Sequence, residues 1–274
     1  MKFSNPKQIC LLCSSKSLKK ISFPSCVINY CTKCTLQFIE KSVSTNNYFE
    51  KYKKQRSVNS KYSKLRNTQY HIDATFLQKY LKSGNVLDVG CSDGIFLSKL
   101  NKYKNYNLIG IDPDSAAIEM AEKKFSKIKF YNTNLLNFDT KIKFDCIIFR
   151  GSFQFLGSEL KSTLKKIQKI GKKNSKIIIY SLPNSDSFLY HLLKENWNLF
   201  DENSHKLIFN KFSIEKLCKL YNFEIEHLSY PYLGTPYANP SKDYKKMIQS
   251  IRSGIFTNIP FWGNIMQLIL KNNK

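Results

Sequence analysis

The chain has 274 residues, 42% of them hydrophobic, with only 10 glycines and 8 prolines; that permits one large α/β domain with an appendage or two small domains, and excludes a disordered chain. Its formal net charge of +24 raises nucleic acid as a partner, yet only Arg56, Arg66, Arg150 and Arg252 of the 44 basic residues are arginines. Arginine is the better bidentate reader of phosphates and bases, and the lysines follow the whole chain without a long block, so the charge reads first as a general surface property.

Residues 1–8 lack the apolar core of an export signal, and no run reaches the ~20 apolar residues of a membrane span, so a cytoplasmic, reducing location is expected. Eight cysteines in such a compartment ask for a metal before a disulfide. Cys10-Leu-Leu-Cys13 and Cys31-Thr-Lys-Cys34 are two Cys-x-x-Cys pairs 17 residues apart, the spacing of a four-thiolate zinc site. Two intervening residues let both sulfurs of a pair turn toward one ion. With all four tetrahedral positions filled by protein, that ion is structural. Cys26, between the pairs, reads as a packed thiol. We therefore expect a zinc-binding module over residues 1–40 and a linker or helix over 41–60, where Tyr48 and Tyr52 punctuate a lysine-rich stretch. The main domain then runs over 61–274.

Tyr70, Ala74, Leu77 and Leu81 share one face of a helix expected over Arg66–Leu81, with Gly84 ending it. Val86 to Val89 is a short apolar run that reads as a buried strand, followed by Gly90, Gly94 and then Phe96, Leu97 and Leu100 at helical spacing. This is strand, tight glycine turn, helix. A dinucleotide site needs a third glycine so that a pyrophosphate can rest on bare backbone. Here Ser92 stands between two glycines, and Asp88 and Asp93 would repel a phosphate. A ligand with a cationic end suits those carboxylates better.

Asp88-Val89-Gly90-Cys91-Ser92-Asp93-Gly94 resembles the glycine motif of the class I S-adenosylmethionine (SAM)-dependent methyltransferases, with Ser92 where many members have glycine. The resemblance implies a Rossmann-like α/β sheet of seven strands, the last antiparallel, and SAM as cofactor. The next strand, Leu108 to Ile111, ends in Asp112-Pro113, the acid that the resemblance sets on the ribose hydroxyls; a helix cap before Ser115 is the plainer reading. Pro113 to Phe125 then reads as a helix with Ala117, Met120, Ala121 and Lys124 on one side, and Ile128 to Tyr131 as a strand. Asn134 and Leu135 follow, either as adenine contacts by the same resemblance or as loop residues. Phe144 to Phe149 reads as the fourth strand, leading to Arg150 and Gly151, which by resemblance border the methyl donor, with Gln154 toward the acceptor. Leu160–Ile170 reads as a helix stopped by Gly171, and Lys176–Tyr180 as the fifth strand.

Residues 184–210 read as an irregular segment, Ser213 as the cap of a helix over Ile214–Tyr221, and Phe223–Tyr230 as the sixth strand. A proline- and tyrosine-rich loop follows, then a helix near Asp243–Arg252, and the last segment to Lys271 reads as the seventh strand. Acceptor-covering insertions are expected near 184–210 and 230–260. Direct methyl transfer needs nucleophile, methyl carbon and sulfur held in line, and an oxygen acceptor also needs a base near neutral pH. Of the four histidines, His205 lies where such a base belongs.

The chain is also similar to bacterial methyltransferases that join a four-cysteine zinc module to this fold and methylate sugars or small molecules. That likeness implies a small-molecule acceptor, a sugar or glycan precursor of surface-polysaccharide or related metabolism. An RNA methyltransferase that uses the zinc module and basic surface is the first alternative. A non-catalytic SAM-fold binding protein is the second.

Overall fold

The computed structural model describes residues 8–22, 26–39, 61–197, 206–254 and 259–274. Three short antiparallel strands come first: β1 (Leu18–Ser22), β2 (Val27–Cys31) and β3 (Gln37–Ile39). Helix α1 (Lys61–Tyr80) leads into β4 (Gly84–Val89), and strand and helix then alternate through α2 (Ile95–Leu100), β5 (Tyr106–Asp112), α3 (Ser115–Lys124) and β6 (Lys129–Asn132). Next come β7 (Phe144–Arg150), α4 (Leu160–Ile170) and β8 (Gly171–Pro183). The chain continues with α5 (Phe188–Leu193), β9 (Leu207–Ile208), α6 (Lys211–Tyr221), β10 (Phe223–Ser229), α7 (Pro240–Ser253) and β11 (Ile265–Asn272).

Seven strands form one sheet in the order β10-β11-β8-β7-β4-β5-β6. β4 to β8 pair in parallel, and β11 runs antiparallel to both β8 and β10. Leu87, Ile147, Ile148 and Ile178 are fully buried because helices cover both faces, as a parallel sheet requires. On one face α1, α2 and α3 seat Leu77, Leu97, Leu100, Ile118 and Ala121. On the other, α4 and α6 seat Leu160, Leu164, Ile214 and Leu217. The strand order reverses between β4 and β7, and a crevice outside the carboxyl ends at that point is where such sheets bind ligands.

The small sheet is completed from far along the chain: β9 pairs with β3, giving the order β1-β2-β3-β9. Its apolar side is continuous with the main core, since Cys10, Leu12, Leu36 and Phe38 pack in the same cluster as α4 and α6. The fully buried Trp197 and Leu189 of the 184–210 segment pack with Ile28 and Ile39. An irregular segment was expected there, but Ser187, accepting from the Tyr190 amide, caps the two-turn helix α5.

Three other expectations change. Gly84 does not end α1, which stops at Tyr80; instead it opens β4 at φ +122°, where a Cβ would meet the Asp145 carboxylate at 2.5 Å. Asn210, not Ser213, caps α6: the two form a reciprocal capping box, and the helix starts at Lys211. In α3 the third buried position is Ile118, while Lys124 faces solvent. The linker over 41–60, Phe200 and His205 lie outside the described residues.

Candidate active site

Val89 delivers the chain into a turn whose backbone only some residues tolerate. Gly90 and Gly94 have φ +83° and +72°, and Ser92 also sits in the left-handed region at φ +51°. A Cβ on Gly90 would lie 2.8 Å from the Cβ of Ser152, so glycine is required there by contact as well as by conformation. The Gly90 and Cys91 amides both donate to the Ile111 carbonyl, at 2.8 and 3.1 Å, tying the turn to the end of β5. The Ser92 amide then donates to Asp112 Oδ2 and the Asp114 amide to Asp112 Oδ1, both at 2.9 Å. Asp112 is thereby fixed at the strand tip.

Asp88 lies one strand over, paired in register with Gly110, and is 1% exposed. Burial pushes its pKa up to about 7; Arg150 opposes that rise and Asp112 adds to it. Its Oδ1 has no hydrogen-bond partner among the described residues. A buried carboxylate oxygen left unpaired costs about 1–3 kcal/mol or more, so a donor from outside the chain would be stabilising here. Cys91 and Asp93 are buried in the same turn, and Pro113 is exposed beside Asp112.

Arg150 leaves the end of β7 and packs over the Tyr70 ring, its guanidinium carbon 4.0 Å from the ring centre. Its Nε donates to Asp73 Oδ2 at 2.9 Å, and Gln69 Nε2 donates to Asp73 Oδ1 at 2.8 Å. Burial raises the pKa of Asp73, with Arg150 pulling against it. The hydroxyl of Tyr180 holds the Asp73 carbonyl at 2.8 Å. Gln69, Asp73, Arg150, Gly151 and Tyr180 line a cavity of about 700 Å³ together with Tyr232, Tyr237, Lys242, Lys246 and Phe261. Gly151, at φ +68°, has nothing within 4 Å of where a Cβ would stand, so it presents bare backbone. Ser181, on the same cavity, has φ +57° where the β8–β11 register slips, a bulge that re-aims the strand end.

The four paired cysteines converge. The Sγ atoms of Cys10, Cys13, Cys31 and Cys34 all lie within 4.8 Å of one another, with Cys10–Cys34 at 3.4 Å and Cys13–Cys31 at 3.6 Å. Zinc–sulfur bonds of ~2.3 Å in a tetrahedron set sulfurs ~3.8 Å apart, so the donor set fits such an ion. The two turns match: Ser14 (φ 60°) and Thr35 (φ 57°) follow the second cysteine of each pair in the left-handed region, and the Ser14 and Thr35 amides reach back to the Cys10 and Cys31 carbonyls. Each turn is anchored to the main domain. Lys161 Nζ donates to Ser14 Oγ at 2.5 Å, and Thr35 Oγ1 donates to Asn210 Oδ1 at 2.7 Å.

Asp88, Gly90, Cys91, Asp93, Gly94, Asp112, Pro113, Arg150 and Gly151 thus gather at the carboxyl ends of β4, β5 and β7. Asn134 is exposed, and its Oδ1 accepts from the Asn137 amide, while Leu135 is buried with Ile109, Ile111 and Phe138. Gln154, expected toward the acceptor, is buried off the cavity, with Nε2 donating to the Gly151 carbonyl at 3.0 Å. His227 is engaged by Tyr80 and Ser229, and His71 and His191 are exposed on helices. Sequence reasoning passed over Asp73. The signal was present: Arg66, Tyr70, Asp73, Ala74 and Leu77 fall on one helical stripe, and a carboxylate on an apolar stripe needs a partner.

A family profile described as a methyltransferase domain matches residues 61–228. Ribosomal protein L11 methyltransferase of Thermosipho melanesiensis is 30% identical over 143 residues, covering 48% of this chain and 54% of that protein. The chain spans about half the length of the curated relatives it matches. A crystal structure from Thermotoga maritima, described as a SAM-dependent methyltransferase and possible histamine N-methyltransferase, superposes with a TM-score of 0.57 at 16% identity, covering 84% of this chain and 98% of that one. The plantazolicin methyltransferase in complex with a desmethyl analogue and SAH superposes with a TM-score of 0.54 at 16% identity, covering 83% and 90%.

Proposed function

Because the chain belongs to the methyltransferase-domain family, we propose that it transfers a methyl group from SAM to a small-molecule acceptor, a sugar or glycan precursor, held in the cavity beside Arg150. The observation that carries the donor half is the pair of acidic strand tips. Asp112 is held by two backbone amides at the tip of β5, where a carboxylate can accept from ribose hydroxyls, and Asp88 carries an unpartnered buried oxygen for the cationic methionine end. The turn through Gly90, Cys91, Asp93 and Gly94 borders the nucleoside, Pro113, Asn134 and Leu135 flank the adenine, and Arg150 and Gly151 face the methyl donor. The four cysteines hold a structural zinc ion.

The acceptor half rests on the cavity. Its size suits a small molecule, and two of its buried acceptor atoms, Gln69 Oε1 and Asn264 Oδ1, have no partner among the described residues, so a ligand bearing hydroxyl donors fits them. SAM supplies an electrophilic methyl group, so the chain's own task is alignment: Gln154 holds the Gly151 carbonyl, and Asp73 holds Arg150. For an oxygen acceptor His205 is the proposed base. Its replacement by alanine should lower turnover at unchanged SAM affinity.

The net charge of +24 is what favours the RNA alternative. Incubating the protein with methyl-tritiated SAM and a fractionated cell extract separates the readings. Label should appear in the small-molecule fraction. Label confined to RNA or protein would overturn the acceptor assignment.

A further inference from the structure

The lining of the cavity carries more cations than carboxylates. Arg66, Arg150, Lys242 and Lys246 line it, against Asp73 and Asp243. Arg150 and Asp73 pair with each other. The Asp243 carboxylate is taken up locally, accepting from the Tyr232 hydroxyl and the Asn239 amide, each at 2.8 Å. Neither Lys242 nor Lys246 has an ion-pair partner among the described residues.

Lys242 is also at the wrong end of its helix for stability. Both lysines lie in the first two turns of α7, a 14-residue helix whose amino-terminal end, with Asn239, Lys242 and Asp243, opens onto the cavity. In the first turn, where Lys242 sits, the helix dipole disfavours a cation and attracts anions. Nothing else described in the fold uses these two lysines. Buried polar atoms on the same cavity, Gln69 Oε1 at a residue 9% exposed and Asn264 Oδ1 at one 3% exposed, accept hydrogen bonds and have none. One molecule that satisfies both sets has hydroxyl donors for Gln69 and Asn264 and an anionic group for the two lysines.

We infer that the acceptor carries an anionic group, a phosphate ester or a carboxylate, seated on Lys242 and Lys246 at the amino-terminal end of α7, with its hydroxyls read by Gln69 and Asn264. This rests on the reading of the cavity as the acceptor site and adds the charge class of the acceptor and the residues that select it.

The test is calorimetric titration of the full chain, with and without saturating SAH, using glucose 1-phosphate, glucuronate and glucose as probes. The two charged probes distinguish a phosphate from a carboxylate. At least one should bind ten-fold or more tighter than glucose, and that preference should shrink as salt rises from 50 to 500 mM. The variant carrying Lys242→Gln and Lys246→Gln should lose the preference while its SAH affinity stays at the wild-type value and its melting temperature does not fall below it. Equal binding of all three probes, or a charge preference that survives in the variant, would overturn the subsite. Failure of SAH to bind the wild-type chain would count against the methyl-donor reading alone, because the probe titrations without SAH stand by themselves.

Discussion

At the scale of single residues, the account turns on Asp88. Its pKa, raised by burial to about 7, lies above that of an exposed carboxylate, so between pH ~4 and ~7 the folded chain keeps a proton that the unfolded chain has lost. The native state binds more protons in that window, and stability therefore falls as pH rises through it, by an amount on the order of 4 kcal/mol. Asp88→Asn should flatten this dependence and melt higher than the wild type at pH 8, in thermal scans from pH 4 to 8. The same change should weaken SAM binding. A cationic ligand favours the ionised carboxylate, so SAM binding at pH 6.5 should release a proton, read as a calorimetric enthalpy that varies with buffer. Gly90 offers a second residue-level test. Gly90→Ala places a Cβ against Ser152 at a positive φ and should cost about 1–3 kcal/mol in denaturant titrations, whereas Gly151→Ala, which meets nothing, should cost only the backbone strain.

At the scale of elements, two joints hold the site. The first is α1 on the sheet, where Asp73 and Arg150 meet in the interior. Asp73→Asn leaves a guanidinium without its charge partner and should destabilise the chain by about 3–5 kcal/mol, loosening α1 over the cavity. The second is the cysteine module. The convergence of Cys10, Cys13, Cys31 and Cys34 was legible because all four sit on two local turns. The docking of that module was not legible, since Thr35 meets Asn210 across 175 residues and β3 takes β9 as a neighbour. A short two-residue strand has no periodicity to read. Since the module shares one core with α4 and α6, removal of the metal by a chelator should lower the melting temperature of the whole chain in a single transition. A separate early transition, with the main melt unmoved, would show that the module is thermally independent.

For the whole molecule, the order of strands and the glycine turn could be read from local pattern, because apolar runs and helical spacing alternate through β8. The cavity could not, because its walls come from α1, the end of β8 and α7, which only the folded sheet brings together. Placement says more than net charge: on the proposed reading the cations that act are the few lysines and arginines around one cavity, not the total. RNA binding, measured by gel shift, should accordingly be weak and should vanish between 50 and 200 mM salt. The central claim is that adjacent strand tips, Asp88 and Asp112, hold SAM. The most direct measurement is titration of SAM into the wild-type chain and into Asp112→Ala. The account predicts saturable one-to-one binding by the wild type and a loss of at least ten-fold in the variant; no binding by the folded wild type, or equal binding by both, would contradict it.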